Sequence, residues 1–406
     1  MKKDIQNTIL NTYKPMGRKI GTETEHLIAD AIGRPLSVRA TEEFAQMLFK
    51  EKIDHSREIF AGVFETKTDA YEPGDLKLLF AENAESNQRM QTVANNLGYI
   101  LYALPFFPAL TLQDALALRI RHPRADGLLR HLQKLNKERI VEHCVMTTGI
   151  HVSLGFETLD EALEICQLAS MLIPILTMLT ENSSHQSKHM MAYRRHGQGK
   201  RTDIQDYFFA AQNGQELINK HVEHIKSVPA MMFMDATGEA QVFENPDRES
   251  FSMLPEALQT ADNFFMIEKM QYNDVKLAAI KDKQGDVMGH RVEIRMADRG
   301  TYQHDFMVFV ALILSDVCGR KMLENFLLAY GYDRGAINIV DMLHKDLEIA
   351  INHNGQRFKN TTAQGYAFRD MAKSLLCVMT QFMDLHYGQY QGEALKVFKQ
   401  PRRLLL

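Results

Sequence analysis

Gly21–Asp30, GTETEHLIAD, reads as a strand that turns apolar toward its end and sets Glu23 and Glu25 one residue apart. In an extended chain, side chains at i and i+2 leave the same face, so the two carboxylates stand side by side. Like charges so placed repel unless cations lie between them or one is protonated. E-x-E is common in acidic strands, and alone the pair reads as an ordinary solvent-facing surface. The same arrangement of hard oxygen ligands suits Mg²⁺ or Mn²⁺, which take a protein carboxylate or two plus substrate phosphates.

The rest of the chain bounds the choice. With 406 residues, 45% of them apolar and 24% charged, it has the composition of a soluble globular protein of one large domain or a few ordinary ones. Its 47 basic and 51 acidic residues leave a net charge of −4, which gives no overall field for nucleic acid or an anionic membrane. Cys144, Cys166, Cys318 and Cys377 lie far apart without a CxxC pair, so neither a zinc knuckle nor a disulfide framework is expected, and a reducing cytoplasm fits best. The N-terminal MKKDIQNTILNTYKPMG lacks a signal peptide's apolar core. The apolar run Ile165–Thr180 is shorter than the ~20 residues of a bilayer span and contains Gln167 and Pro174, so a buried, Pro-kinked helix is expected there.

Alternating or β-rich segments fall at Arg18–Ala29, Glu58–Lys67, Val145–Phe156, Ala230–Asp235 and Val287–Met296. Helical patterns fall at Pro73–Leu104, Leu112–Leu135, Leu254–Tyr272, Asp305–Tyr330 and across Asp333–His386; another opens with Thr158 three residues before Glu161, a capping arrangement. This mixed order predicts an α+β fold, not regular βαβ alternation. No linker or repeat is evident, so the β-rich stretches are expected to share one sheet within residues 1–320, with 321–406 a helical C-terminal extension packed on it.

Five stretches carry chemistry. No GxxxxGK[ST] or GxGxxG is present, so ATP, if used, must be held by metal ions and arginines. Besides Glu23 and Glu25, the segment VFETKTDAYEPGDL (Val63–Leu76) brings Glu65, with Glu72 and Asp75 at a turn where either could cap the following helix. TTGIHVSLGF (Thr147–Phe156) sets His151 and Ser153 on one face and Ile150, Val152 and Leu154 on the other; a mid-strand histidine is commonly structural unless a metal or phosphate lies near. ENSSHQSKHMMAYRRHGQGKR (Glu181–Arg201) concentrates Arg194, Arg195 and other basic residues in a credible oxyanion loop, although on these residues alone a solvated basic loop is the stronger reading. HRVEIRMADRG (His290–Gly300) sets Glu293 and Arg295 on one face, either as an ion pair or as a metal carboxylate beside a phosphate-binding guanidinium.

Taken in order, these stretches resemble the glutamate–cysteine ligase family, particularly its bacterial carboxylate–amine ligase branch and plant-type relatives in the glutamine-synthetase-like superfamily. The resemblance rests on Gly21-x-Glu23-x-Glu25, on VFETKT with Glu65 and Thr68, on GIHVSLGF, on ENSS and AYRR, and on VEIRMADRG, and spans roughly residues 18–300. The chain departs from the pattern in having no Trp and no Thr-Pro pair after Glu65, which bears on the amine substrate.

The resemblance implies a curved, mainly antiparallel sheet with the active site on its concave face and helices packed outside. It also implies two or three Mg²⁺ or Mn²⁺ ions on Glu23, Glu25, Glu65 and Glu293, with Glu72 a further candidate and His151 a ligand or nucleotide contact. Arg194 or Arg195, with Arg295, would touch the phosphates of ATP or of an acyl phosphate. The implied reaction is ATP-dependent amide formation between glutamate and cysteine. Its rivals are a ligase for another amine, a non-catalytic nucleotide or amino-acid sensor, and a metallohydrolase working without ATP. Small-molecule partners and a homo-oligomer are compatible with this reading, without nucleic acid or membrane.

Overall fold

The computed structural model describes residues 3–105, 107, 117–120, 126–127, 133, 148–182, 204–245, 248–351, 358–403 and 405. In chain order the strands are β1 (Ile20–Ala29), β2 (Ser56–Arg57), β3 (Val63–Lys67), β4 (Ile100–Tyr102), β5 (Gly149–Leu154), β6 (Met232–Met234), β7 (Ala240–Val242), β8 (Val275–Lys281) and β9 (Val287–Asp298). Seven of them form one curled antiparallel sheet in the order β2-β3-β1-β5-β9-β8, with β4 also paired to β1. The expected α+β architecture is therefore present.

Alternation decides which side of the sheet carries what. Ile150, Val152 and Leu154 of β5 and Val292 and Ile294 of β9 enter a core shared with the helices Leu159–Thr180 and Gln303–Ser315. Each fully buried Leu or Ile there contributes about 1.5–3 kcal/mol. Thr158 caps the first of these helices by accepting a hydrogen bond from the Glu161 amide at 3.1 Å, while the Glu161 carboxylate takes the Glu157 amide. That helix runs continuously through Pro174 and is buried among the others, as its apolar run predicts. The helices Val317–Ala329, Ile339–Ile351, Phe368–His386 and Gln391–Arg403 add side chains to the same core.

Several expected elements differ, each for a local reason. The helix expected over 73–104 runs from Leu76 to Asn96; Gly98, at φ +71°, turns the chain and β4 follows. Glu72 and Asp75 stand before its first turns, but neither side chain caps it. The pattern over Asp305–Tyr330 is two helices, because Asp316 is extended and its Oδ1 accepts from the amides of Cys318 and Gly319. Over Leu254–Tyr272 only Ala261–Lys269 is α-helical, opened by a Thr260 cap. β3 starts at Val63, after Gly62 at φ +76°. The β-rich segment at 230–235 leaves the main sheet and forms a separate pair, β6 with β7. β8 was not expected, and the helix expected over 112–135 lies largely outside the described residues.

β1 is buried on both faces. On the helix-facing side Thr22 meets His304 Nε2 at 3.0 Å, Thr24 donates to Asn83 at 3.4 Å, and His26 Nε2 lies 2.9 Å from the Thr66 hydroxyl. Burial, with Arg299 nearby, holds His26 well below its ordinary value and so neutral. At the start of the sheet, a Cβ on Gly155 would lie 1.9 Å from the Gly17 carbonyl oxygen, so only glycine allows this close approach.

His224 gives the fold a pH dependence. Its Nε2 is buried without a hydrogen-bond partner, and burial, then the neighbouring His221, pushes it down to about 4. The unfolded chain titrates near ~6.5, so this contribution is complete above that pH and falls as pH drops toward the folded value, by at most about 3 kcal/mol. Urea unfolding near about pH 7.5 and about pH 4.5 should show the loss, and His224→Leu should reduce it. An unchanged pH dependence in the variant would contradict the assignment.

Candidate active site on the concave face

The face of the sheet away from the helical core gathers charge from five strands. Period-two alternation puts Glu23 and Glu25 of β1, Glu65 and Lys67 of β3, His151 and Ser153 of β5, Arg291 and Glu293 of β9 and Lys276 of β8 on this side. Register then places like charges opposite one another: Glu25 faces Glu65, while Glu23 sits between Lys67 and His151, and Glu293 between Ser153 and Lys276. An unscreened carboxylate pair directly across two strands is destabilising. All four of these glutamates are buried.

The structure shows how the repulsion is met. Lys67 Nζ lies 3.0 Å from Glu23 Oε1 and 3.0 Å from Glu65 Oε1. Arg291 Nη2 lies 3.1 Å from Glu23 Oε1 and 3.0 Å from Glu293 Oε2. Arg295 Nη1 bonds Glu293 Oε1, with Lys276 Nζ 3.6 Å from the same oxygen. His151 Nδ1 is 3.2 Å from Glu23 Oε2, and the Gly149 amide donates to Glu25 Oε2 at 2.6 Å.

These contacts set the protonation states. Burial raises Glu23, but the His151 hydrogen bond and the Lys67 and Arg291 charges outweigh it and hold the carboxyl low. Burial also raises Glu293, yet Lys276, Arg295 and Arg291 hold it well below the usual carboxylate range. Glu65 moves the other way, raised by burial and by the Glu23 charge. Burial pushes Lys276 down to about 8 despite Glu293 beside it.

Two overlapping groups offer ligand atoms within 4.8 Å of one another: Glu23, Glu65 and His151, and Glu25, Glu58 and Glu65. Glu65 belongs to both. His151 Nε2 is buried and makes no hydrogen bond, which leaves its lone pair available when Nδ1 carries the proton toward Glu23. Hard carboxylate oxygens with a single imidazole suit Mg²⁺ or Mn²⁺, so the residues present fit the expected ions.

Of the residues singled out from sequence, Glu23, Glu25, Glu65, His151, Glu293 and Arg295 converge here. Glu72 is exposed before the turn Pro73–Asp75 and belongs to neither carboxylate group. Arg194 and Arg195 lie outside the described residues. Sequence reading passed over Lys67, Arg291, Lys276 and Glu58. Lys67 and Arg291 carry a usable signal, since each stands two residues from a chosen glutamate on the same strand face; Lys276 was hidden with β8, and Glu58 lies between β2 and β3, where strand alternation does not apply.

Beside Glu23, toward the start of β1, a cavity of about 260 Å³ opens. Met16, Ala70 and Ile280 line its apolar part, and Glu23, Lys67 and Arg291 its charged part.

Comparison with known proteins bears out the resemblance over part of the chain. Residues 19–186 match the model of Glutamate-cysteine ligase family 2 (GCS2). A glutamate–cysteine ligase of Natronomonas pharaonis is 24% identical over 171 residues, which are 41% of this chain and 43% of that protein, so the match spans less than half of the relative's length. The crystal structure of the Francisella tularensis glutamate–cysteine ligase in complex with AMP aligns over 97% of this chain and 82% of its own, with a TM-score of 0.56 at 10% identity. That likeness is one of fold.

Glu293 anchors three buried or nearly buried cations, so Glu293→Gln should destabilise the metal-free protein by about 3–5 kcal/mol. Adding Lys276→Met should recover part of the loss. Urea unfolding in EDTA measures both; a loss below about 1 kcal/mol in the single variant would show that Glu293 is not the anchor.

Proposed function

We propose that the chain is an ATP-dependent carboxylate–amine ligase that activates the γ-carboxylate of glutamate, or a similar carboxylate, and joins it to an amine, with cysteine the default acceptor. The observation that carries this reading is the convergence of Glu23, Glu25, Glu58, Glu65, Glu293 and His151 with Arg291 and Arg295 on one face of the sheet, where Glu23 and Arg291 also line a cavity. The family match over residues 19–186 and the ligase fold of the Francisella protein support it.

A carboxylate does not condense with an amine at neutral pH, because its oxygen is a poor leaving group. Attack of that oxygen on the γ-phosphorus of ATP gives an acyl phosphate and ADP; the amine then displaces phosphate. Glu23, Glu65 and His151 would hold one cation, and Glu25, Glu58 and Glu65 another. Mg²⁺ or Mn²⁺, when bound, supplies charge that offsets the phosphates and polarises the transferring group.

The chain's own groups do the rest. Arg291 lines the cavity, so its planar guanidinium is placed for a phosphate oxygen, with Arg295 beside it on the shared Glu293. Such pre-placed donors act on charge that develops in the transition state. The cavity of about 260 Å³ beside Glu23 would take the base of the nucleotide against Met16, Ala70 and Ile280, leaving its phosphates toward Lys67 and Arg291. The AMP of the Francisella complex agrees with a nucleotide on this fold. Arg194 and Arg195 remain candidates for the acyl phosphate on the sequence resemblance, and cytoplasmic action on small molecules is part of the same reading.

Incubation with ATP, Mg²⁺, glutamate and a pooled amine library, followed by mass spectrometry, should give ADP and one new amide. Glu23→Gln should lower ADP formation roughly 10²–10³-fold. ATP binding without ADP across the whole panel would point instead to a sensor, and turnover without ATP to a hydrolase.

A further inference from the structure

Lys67 stands where a cation would. Its ammonium bridges Glu23 and Glu65 at 3.0 Å each, and both carboxylates belong to the ligand group completed by His151. An ammonium and a divalent ion cannot share that space, because each needs the same oxygens and their like charges repel. The side chain is long, half exposed at 48%, and placed on the last residue of β3, so it can leave without disturbing the core. Its other neighbourhood is the cavity beside Glu23, which Lys67 helps to line together with Arg291.

We propose that Lys67 is a built-in competitor for the divalent cation: it neutralises the Glu23–Glu65 pair in the metal-free protein and swings into the adjoining cavity when metal binds, where it meets a nucleotide phosphate. The inference rests on the metal and nucleotide reading given above. It makes metal and nucleotide binding cooperative. The ion frees the ammonium from two carboxylates, and a polyphosphate in the cavity gives it a new partner; by linkage each ligand then tightens the other by the same factor. A lysine suits this exchange better than arginine, being a compact point charge on a flexible stem.

The test uses the full-length protein without turnover. Mn²⁺ binding is followed by electron paramagnetic resonance, first alone and then with a non-hydrolysable ATP analogue. In Lys67→Met, nucleotide-free Mn²⁺ affinity should rise about tenfold, equivalent to about 1.4 kcal/mol. The tightening of Mn²⁺ by the analogue should shrink relative to the unmodified protein. Lys19→Met, which removes a charge from the same cavity outside the Glu23–Glu65 bridge, should change Mn²⁺ affinity less than threefold, and so separates competition from general field effects. Equal Mn²⁺ affinity in the unmodified protein and Lys67→Met would overturn the inference while leaving the metal site standing. No Mn²⁺ binding to any of the three proteins would overturn the metal assignment and the inference with it.

Discussion

Burying several carboxylates on one face of a sheet is the constraint on which the rest of the molecule depends. Glu25 opposite Glu65, with Glu23 two residues along β1, is a repulsive arrangement in a place with little water to screen it. A buried charge without a partner costs several kcal/mol, so the face must also bring cations. It does so from three strands: Lys67 from β3, Arg291 and Arg295 from β9, and Lys276 from β8. The opposing charges come from strands far apart in sequence, so they are paired only when the whole sheet is assembled.

That requirement explains the architecture around it. β1 must lie between β3 and β5 to reach both Lys67 and His151, and β5 must pair with β9 to bring Glu293 and Arg291 alongside. A sheet so burdened on one side needs its stability from the other, where the almost wholly buried helices Leu159–Thr180 and Gln303–Ser315 cover Ile150, Val152, Leu154, Val292 and Ile294. Even there β1 is not apolar: Thr22, Thr24 and the neutral His26 lie in a hydrogen-bonded layer. The central strand is held by its neighbours on both edges and both faces, as suits a strand that must not move when charge is added to it.

Much of this was readable in the sequence because alternation is local. The spacing of Glu23 and Glu25, the two faces of TTGIHVSLGF and the Glu293/Arg295 pair each follow from residues two apart, and all three readings hold in the structure. What alternation cannot supply is register: that Glu25 faces Glu65, or that Lys276 faces Glu293, depends on pairings between segments many residues apart. The breaks in helical pattern were missed for a related reason. Asp316 and Gly98 sit within apolar-rich stretches, and their effect comes from backbone conformation, which periodicity does not report. Lys67 was present in the quoted VFETKT, but its weight comes only from the two carboxylates it bridges.

The distribution of cations also divides the glutamates by role. Glu293 has its oxygens engaged by Arg295, Lys276 and Arg291, two of them through guanidinium groups fixed on the same strand. An ion arriving there would have to displace two guanidinium groups and an ammonium. Glu65 is held by the ammonium of the half-exposed Lys67, which Glu23 shares along with Arg291, and that ammonium can leave at much lower cost. Glu293 is also absent from both groups of converging ligand atoms, whereas Glu65 is in each. Within the described residues the converging ligand atoms therefore centre on Glu65, while Glu293 is tied to Arg291, Arg295 and Lys276 and holds those cations in place.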